Sequence, residues 1–149
     1  MVSLSTVRTQ LISILHLQES PHRTALAFAI GVFIAFAPHY GLHTVSVVLC
    51  AWAFRLNYLV VFLGALINNP WTIIPILAGS LYTGFALFGI PPTASFQWQD
   101  IQIENLYDII SQYLLPFIVG ACILGVLGAL LAYPIMLYTI QRYRAIKAK

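Results

Sequence analysis

Residues 36–72 read FAPHYGLHTVSVVLCAWAFRLNYLVVFLGALINNPWT, and twice within them an apolar run stops at a polar, proline-containing break and then resumes. The first break is Pro38-His39-Tyr40-Gly41-Leu42-His43-Thr44 and the second is Asn68-Asn69-Pro70-Trp71-Thr72. Proline lacks an amide donor and fixes φ, so a helix that reaches Pro38 or Pro70 must end or bend there. Upstream, Ser20-Pro21 is an N-cap followed by proline at the first helical position. It predicts a helix over 21–37, roughly 25 Å long at 1.5 Å per residue. The runs 44–54 and 56–67 are shorter, near 16 Å each by the same estimate, roughly half a hydrocarbon core of about 30 Å. From Trp71 the last of these runs reaches Gly89, before Pro91-Pro92 end it.

Working outward, the 149 residues are 60% hydrophobic and only 7% charged, against about 25% charged in a usual soluble domain. Mean hydropathy is +0.89. So few charges cannot solvate a water-facing surface, and the bilayer is the expected solvent. The seven Lys and Arg form no single stripe, so no nucleic-acid partner is expected. Cys50 and Cys122 both lie in apolar runs and suggest neither a disulfide framework nor a redox motif. No h-region precedes residue 18, so the N-terminus is expected to be kept.

Non-helical backbone at membrane depth must be buried in protein or line a wet cavity, because lipid offers it no hydrogen-bond partner. Each break therefore belongs either to a kinked span or to a re-entrant hairpin. With 21–54 re-entrant, 56–90 a broken span and 114–140 a full span, every Lys and Arg falls on the cytoplasmic side and Asp100, Glu104 and Asp108 fall outside, as the positive-inside rule favours. The other two arrangements separate the basic termini. Residues 1–18 and 100–113 carry apolar residues at helical spacing and read as amphipathic surface helices.

The fold expected is thus an all-α integral membrane protein. It has a re-entrant or kinked helical hairpin, one broken span and one continuous span, plus two interfacial amphipathic helices. In one membrane domain over 1–149, residues 1–19 form the first surface helix, 20–90 the two broken units, 91–113 the outer loop and second surface helix, 114–141 the closing span and 142–149 a basic tail. Ala121, Gly125 and Ala129 repeat every four residues and permit close helix approach, either within the chain or in a homo-oligomer. Membrane lipids are the expected surroundings, and the basic tail suits the anionic inner leaflet.

Polar breaks in corresponding places of two adjacent segments are a pointer to a transporter site. The two breaks are expected to meet near the midplane. There His39 and His43 would hold a proton or bind an anion, Asn68 and Asn69 would supply amides, and Tyr40 and Trp71 would wall the site. Pro38, Gly41, Thr44, Pro70 and Thr72 complete it. Asn69 before Pro70 reads as an N-cap, which would open free N–H groups and a positive dipole end into the break. The competing account is that these side chains only satisfy backbone groups freed by the breaks. Arg23, Arg55 and Asn57 read as headgroup contacts or topology anchors. His39 and His43 have a metal-ligand spacing only on a helix, which Pro38 and Gly41 oppose, and neither break holds a carboxylate, so no metal is expected. No nucleophile, base and orienting group come together, so neither catalysis nor a cofactor is expected.

Both breaks, Arg55-Leu56-Asn57 between them and Pro75 after them closely resemble the bacterial membrane family known as domain of unknown function 2062, over about residues 20–90. The resemblance implies a small protein of the bacterial inner membrane, in a family sometimes joined to sugar-transferring or methyl-transferring domains that this chain lacks; the apolar runs make it multi-pass and the charge distribution puts both termini on the cytoplasmic side. The function expected is binding or movement of a small ion, solute or polar lipid headgroup. The alternative is a non-transporting scaffold that docks a partner enzyme such as a lipid-linked sugar transferase.

Overall fold

A computed structural model describes residues 19–38, 41–91 and 113–147, and among them every regular element is helical. In chain order these are α1 (Pro21–Phe36), α2 (His43–Ala53), α3 (Tyr58–Ala65), α4 (Ile73–Phe88) and α5 (Leu115–Lys147). The surface helices expected over 1–18 and 100–113 lie outside the described residues, apart from Tyr113.

Local chemistry sets each boundary. The Ser20 side chain accepts from the Arg23 N–H at 3.3 Å and Pro21 opens α1. Ala37 turns extended, at φ −64° and ψ 135°, as a residue before proline prefers. Helix α2 ends in a Schellman motif: the Leu56 N–H reaches the Ala51 carbonyl at 2.8 Å and the Arg55 N–H reaches that of Trp52 at 3.2 Å. The C′ position of that motif favours glycine, yet here it is Arg55, at φ 51°. The Arg23 guanidinium donates to the Arg55 carbonyl. Asn57 then caps α3, accepting from the Leu59 N–H at 3.0 Å.

The contact between Arg23 and Arg55 also fixes direction. It places the end of α2 beside the start of α1, so α1 and α2 are an antiparallel hairpin. Helix α3 then runs parallel to α1, with Gly64 against Gly31 and the Asn68 Nδ2 donating to the Ala35 carbonyl at 3.0 Å. Beyond its break the chain continues the same way as α4. The long helix α5 returns antiparallel to α1, α3 and α4, in the same sense as α2. Its first half packs on α4, with Gly120 against Ser80 and Gly84, and its second half packs on α1. His22 at the start of α1 bonds Tyr133, and Arg144 bonds the Glu19 carbonyl.

One half of the molecule is therefore a four-helix layer around Val47, Val60, Val61 and Ile140, and the other half is the α4–α5 pair alone. Ala121 is fully buried, and a Cβ on Gly125 would meet Phe33 and Phe36 at 3.1 and 3.2 Å, so Gly125 faces α1 of its own chain. Helix α5 is long and apolar enough to cross a membrane, whereas α1, α2 and α4 are apolar but shorter. It continues through the basic residues past 141: Arg142 lies over the Tyr138 ring and bonds its hydroxyl, and no glycine or proline interrupts the last turns.

Candidate functional site

A cavity of about 280 Å³ opens where the two breaks meet. From the first break and the start of α2 come Gly41, His43 and Thr44, and from the second break and the start of α4 come Asn68 and Ile73. Val47, Phe62, Ala65 and Leu66 supply apolar walls. The chain reverses into α2 at Gly41, whose φ of +92° is one that side-chain-bearing residues rarely adopt. His43 opens α2 and its Nε2 is buried. Among the described lining residues it is the one imidazole.

The second break is held by its own hydrogen bonds. The Asn69 Oδ1 accepts from the Trp71 and Thr72 N–H groups at 2.9 and 3.1 Å, and the Thr72 Oγ1 accepts from the Asn69 N–H at 2.9 Å. This exchange between residues three apart is a capping box with threonine in place of the usual acid. The Thr72 hydroxyl also donates to the Ile67 carbonyl, at the frayed end of α3. Asn69 thus performs the expected capping, but one turn before α4 becomes regular at Ile73. It has a consequence for the anion site expected from sequence. The amides of Trp71 and Thr72 are taken by Asn69 and are not presented to a ligand.

Asn68 faces the other way. Its Nδ2 satisfies the Ala35 carbonyl in the last turn of α1, a group the helix cannot itself pair. Asn68 also lines the cavity, so one residue joins the α1 terminus, the break and the pocket. Sequence assigned Trp71 to a wall, but the side chain is 89% exposed and Pro70 is exposed beside it. Pro38 is half-buried and does not line the cavity. His39 and Tyr40 lie outside the described residues. Of the proposed anchors, Arg23, Arg55 and Asn57 gather at the far end of α1–α3, remote from the pocket. Sequence did not single out the pocket's apolar walls. Val47, Phe62, Ala65 and Leu66 are ordinary members of apolar runs, and no local signal marks them.

A family model described as an uncharacterized protein conserved in bacteria (DUF2062) matches residues 4–149. The match reaches well beyond 20–90, where the sequence resemblance was placed. No curated protein and no solved structure matches the chain.

Proposed function

From the premise that the chain belongs to this bacterial family, we propose that it is a multi-pass protein of the inner membrane with a small polar binding site at mid-depth. In this reading α1–α2 is a re-entrant hairpin, α3–break–α4 is one broken span, and α5 is the continuous span. Charge supports it. Arg23, Arg55, Arg142, Arg144 and Lys147 all sit at the end shared by the start of α1, the α2–α3 turn and the end of α5, and the opposite end has no Lys or Arg among the described residues. The positive-inside rule then makes that end cytoplasmic. The surface agrees: Trp52, Ile74, Tyr82, Leu130 and Leu131 are each more than 60% exposed, and only 22% of the most apolar stretch of α5 is buried.

The observation that carries the functional reading is that both breaks line one cavity. Asn68 lies about ten residues above the α2–α3 turn, roughly 15 Å of helix and about half of a 30 Å hydrocarbon core. With amide, hydroxyl and imidazole groups and no fixed charge among its described lining, the cavity suits a small hydrogen-bonding solute, a proton at His43, or the uncharged polar part of a lipid. A divalent ion would be left without compensating charge there.

The test is thermal unfolding of the detergent-purified chain against sodium chloride, potassium phosphate, glycerol and glucosamine as probes. A probe that binds only the folded state at about 100 times its Kd stabilises by about 2.7 kcal/mol. His43→Gln and Thr44→Val should remove that stabilisation and leave membrane insertion unchanged. Loss of both variants from the membrane would mean that these residues are structural. Stabilisation by no probe, together with a co-purifying enzyme, would favour the scaffold.

A further inference from the structure

A second cavity lies on the other face of α1, away from the breaks. It is an open groove of about 460 Å³ between α1 and α5, with Leu26, Ile30 and Phe33 on one wall and Val126 and Leu130 on the other. Its lining side chains are hydrocarbon except for the Tyr133 hydroxyl, which closes the end nearest the basic residues. There Tyr133 bonds the Nδ1 of His22 at 2.8 Å. With the tyrosine donating to Nδ1, the histidine carries its proton on Nε2. His22 is exposed and lies where the groove ends at Tyr133. Positions 22, 26, 30 and 33 share one stripe of α1, and Arg23 and Arg144 flank the same end.

We propose that this groove seats one acyl chain of an anionic phospholipid, whose phosphate is met by the His22 Nε2–H within the positive field of Arg23 and Arg144. The occupant follows from charge. The groove is apolar along its length and changes to hydrogen-bonding and cationic groups at one end, the pattern of an amphiphile. The same end collects five Lys and Arg against a single described carboxylate, that of Glu19. A second copy lying in the same membrane orientation would bring an identical basic end against this one, and like charges there repel. The inference rests on the membrane reading above but not on the pocket between the breaks.

Native mass spectrometry of the full chain in detergent tests it, with equimolar phosphatidylglycerol and phosphatidylcholine of identical acyl chains. One cation near an anionic surface contributes enough for about a fivefold preference, and the first retained lipid should favour phosphatidylglycerol by at least that factor. Arg23→Gln combined with Arg144→Gln should bring the ratio toward one, whereas His22→Ala and Tyr133→Phe, which weaken a phosphate contact open to both lipids, should lower retention of both. Ala129→Phe, which fills the groove, should lower retention of both lipids. Equal retention by the wild type, an unchanged ratio in the double arginine variant, or full retention by Ala129→Phe would overturn the proposal. So would conversion of a wild-type oligomer to monomer by Ala129→Phe, because the groove would then hold a second copy. Should that variant fail to fold, the ratio in the double arginine variant decides. Carbonate extraction of membranes reports separately on the membrane reading: release of the chain sinks that reading, whereas a retained chain with a ratio of one sinks only the groove.

Discussion

Gly31 and Gly64 face each other across the crossing of α1 and α3 with no room for a methyl group on either. A Cβ on Gly31 would lie 2.8 Å from the Gly64 Cα, and one on Gly64 would lie 2.9 Å from the Gly31 Cα. The obstacles are backbone atoms, which cannot rotate away as a side chain would. Backbone contact this close holds α3 beside α1 and so brings the second break to the level of the first. In lipid, where apolar burial drives no helix association, such packing is a main source of it.

Gly31→Ala and Gly64→Ala should therefore each destabilise the chain by about 1–3 kcal/mol, the usual cost of overpacking. Gly79→Ala is the control, since its Cβ would meet only the Leu124 Cδ1 at 3.4 Å, an ordinary contact. Helix propensity alone favours that change by about 1 kcal/mol. Unfolding in detergent should separate the first two from the third by sign. Equal behaviour of all three would mean that the crossing does not hold the helices together.

The capping exchange at the second break supplies another prediction. Asn69→Ala removes the acceptor for two amides, and loss of such a cap costs about 1 kcal/mol. Asn69→Asp should recover most of it, because an aspartate oxygen accepts in the same place. If instead the alanine variant is as stable as the wild type but loses probe stabilisation, Asn69 belongs to the ligand and not to the turn.

The breaks were legible in sequence because each puts proline and polar side chains inside an apolar run, a pattern that lipid permits only where protein covers the backbone. Helix limits followed from the same punctuation: the helix expected over 21–37 is Pro21–Phe36, and the run expected from 44 begins at His43. That the breaks meet was also an expectation, and the shared cavity brings Gly41, His43 and Thr44 to Asn68.

What sequence left unread was which groups each polar side chain would satisfy. Trp71 is the example: the break sets it beside the pocket in sequence, but the turn that Asn69 and Thr72 impose leaves it 89% exposed. The α1–α3 crossing did carry a signal. Ala27, Gly31 and Ala35 repeat every four residues and all are buried, but a stripe of small residues names no partner, and α3 offers only Gly64 and Ala65 in return. In the similar stripe of α5, Gly125 meets Phe33 and Phe36, bulky residues that no small-residue pattern could indicate.

Arg55 sits in the left-handed region at φ 51°, at the helix-ending position where glycine is usual. Such a conformation costs an L-residue about 1–2 kcal/mol. Arg55→Gly should therefore raise stability in detergent by about that amount while removing a cation from the basic end. Its carbonyl remains available to Arg23. If the charge anchors topology, this more stable variant should insert with mixed orientation, most visibly when combined with Arg23→Gln. Reduced stability of Arg55→Gly would show that the side chain makes a contact worth more than the strain.

Orientation itself can be read with single cysteines in a Cys50→Ala, Cys122→Ala background. The start of α3 and the last turns of α5 share the basic end, and the end of α4 lies at the other. Asn57→Cys and Ala145→Cys should label only after a membrane-impermeant maleimide is admitted to the cytoplasmic side, and Pro91→Cys should label from outside in intact cells. Positions 91 and 145 are exposed and 57 is half-buried, so each should react once the reagent reaches it. The decisive comparison is Asn57 with Pro91, because the broken span lies between them. If both label from one side, the chain from α3 to α4 does not cross the membrane and the broken-span reading falls.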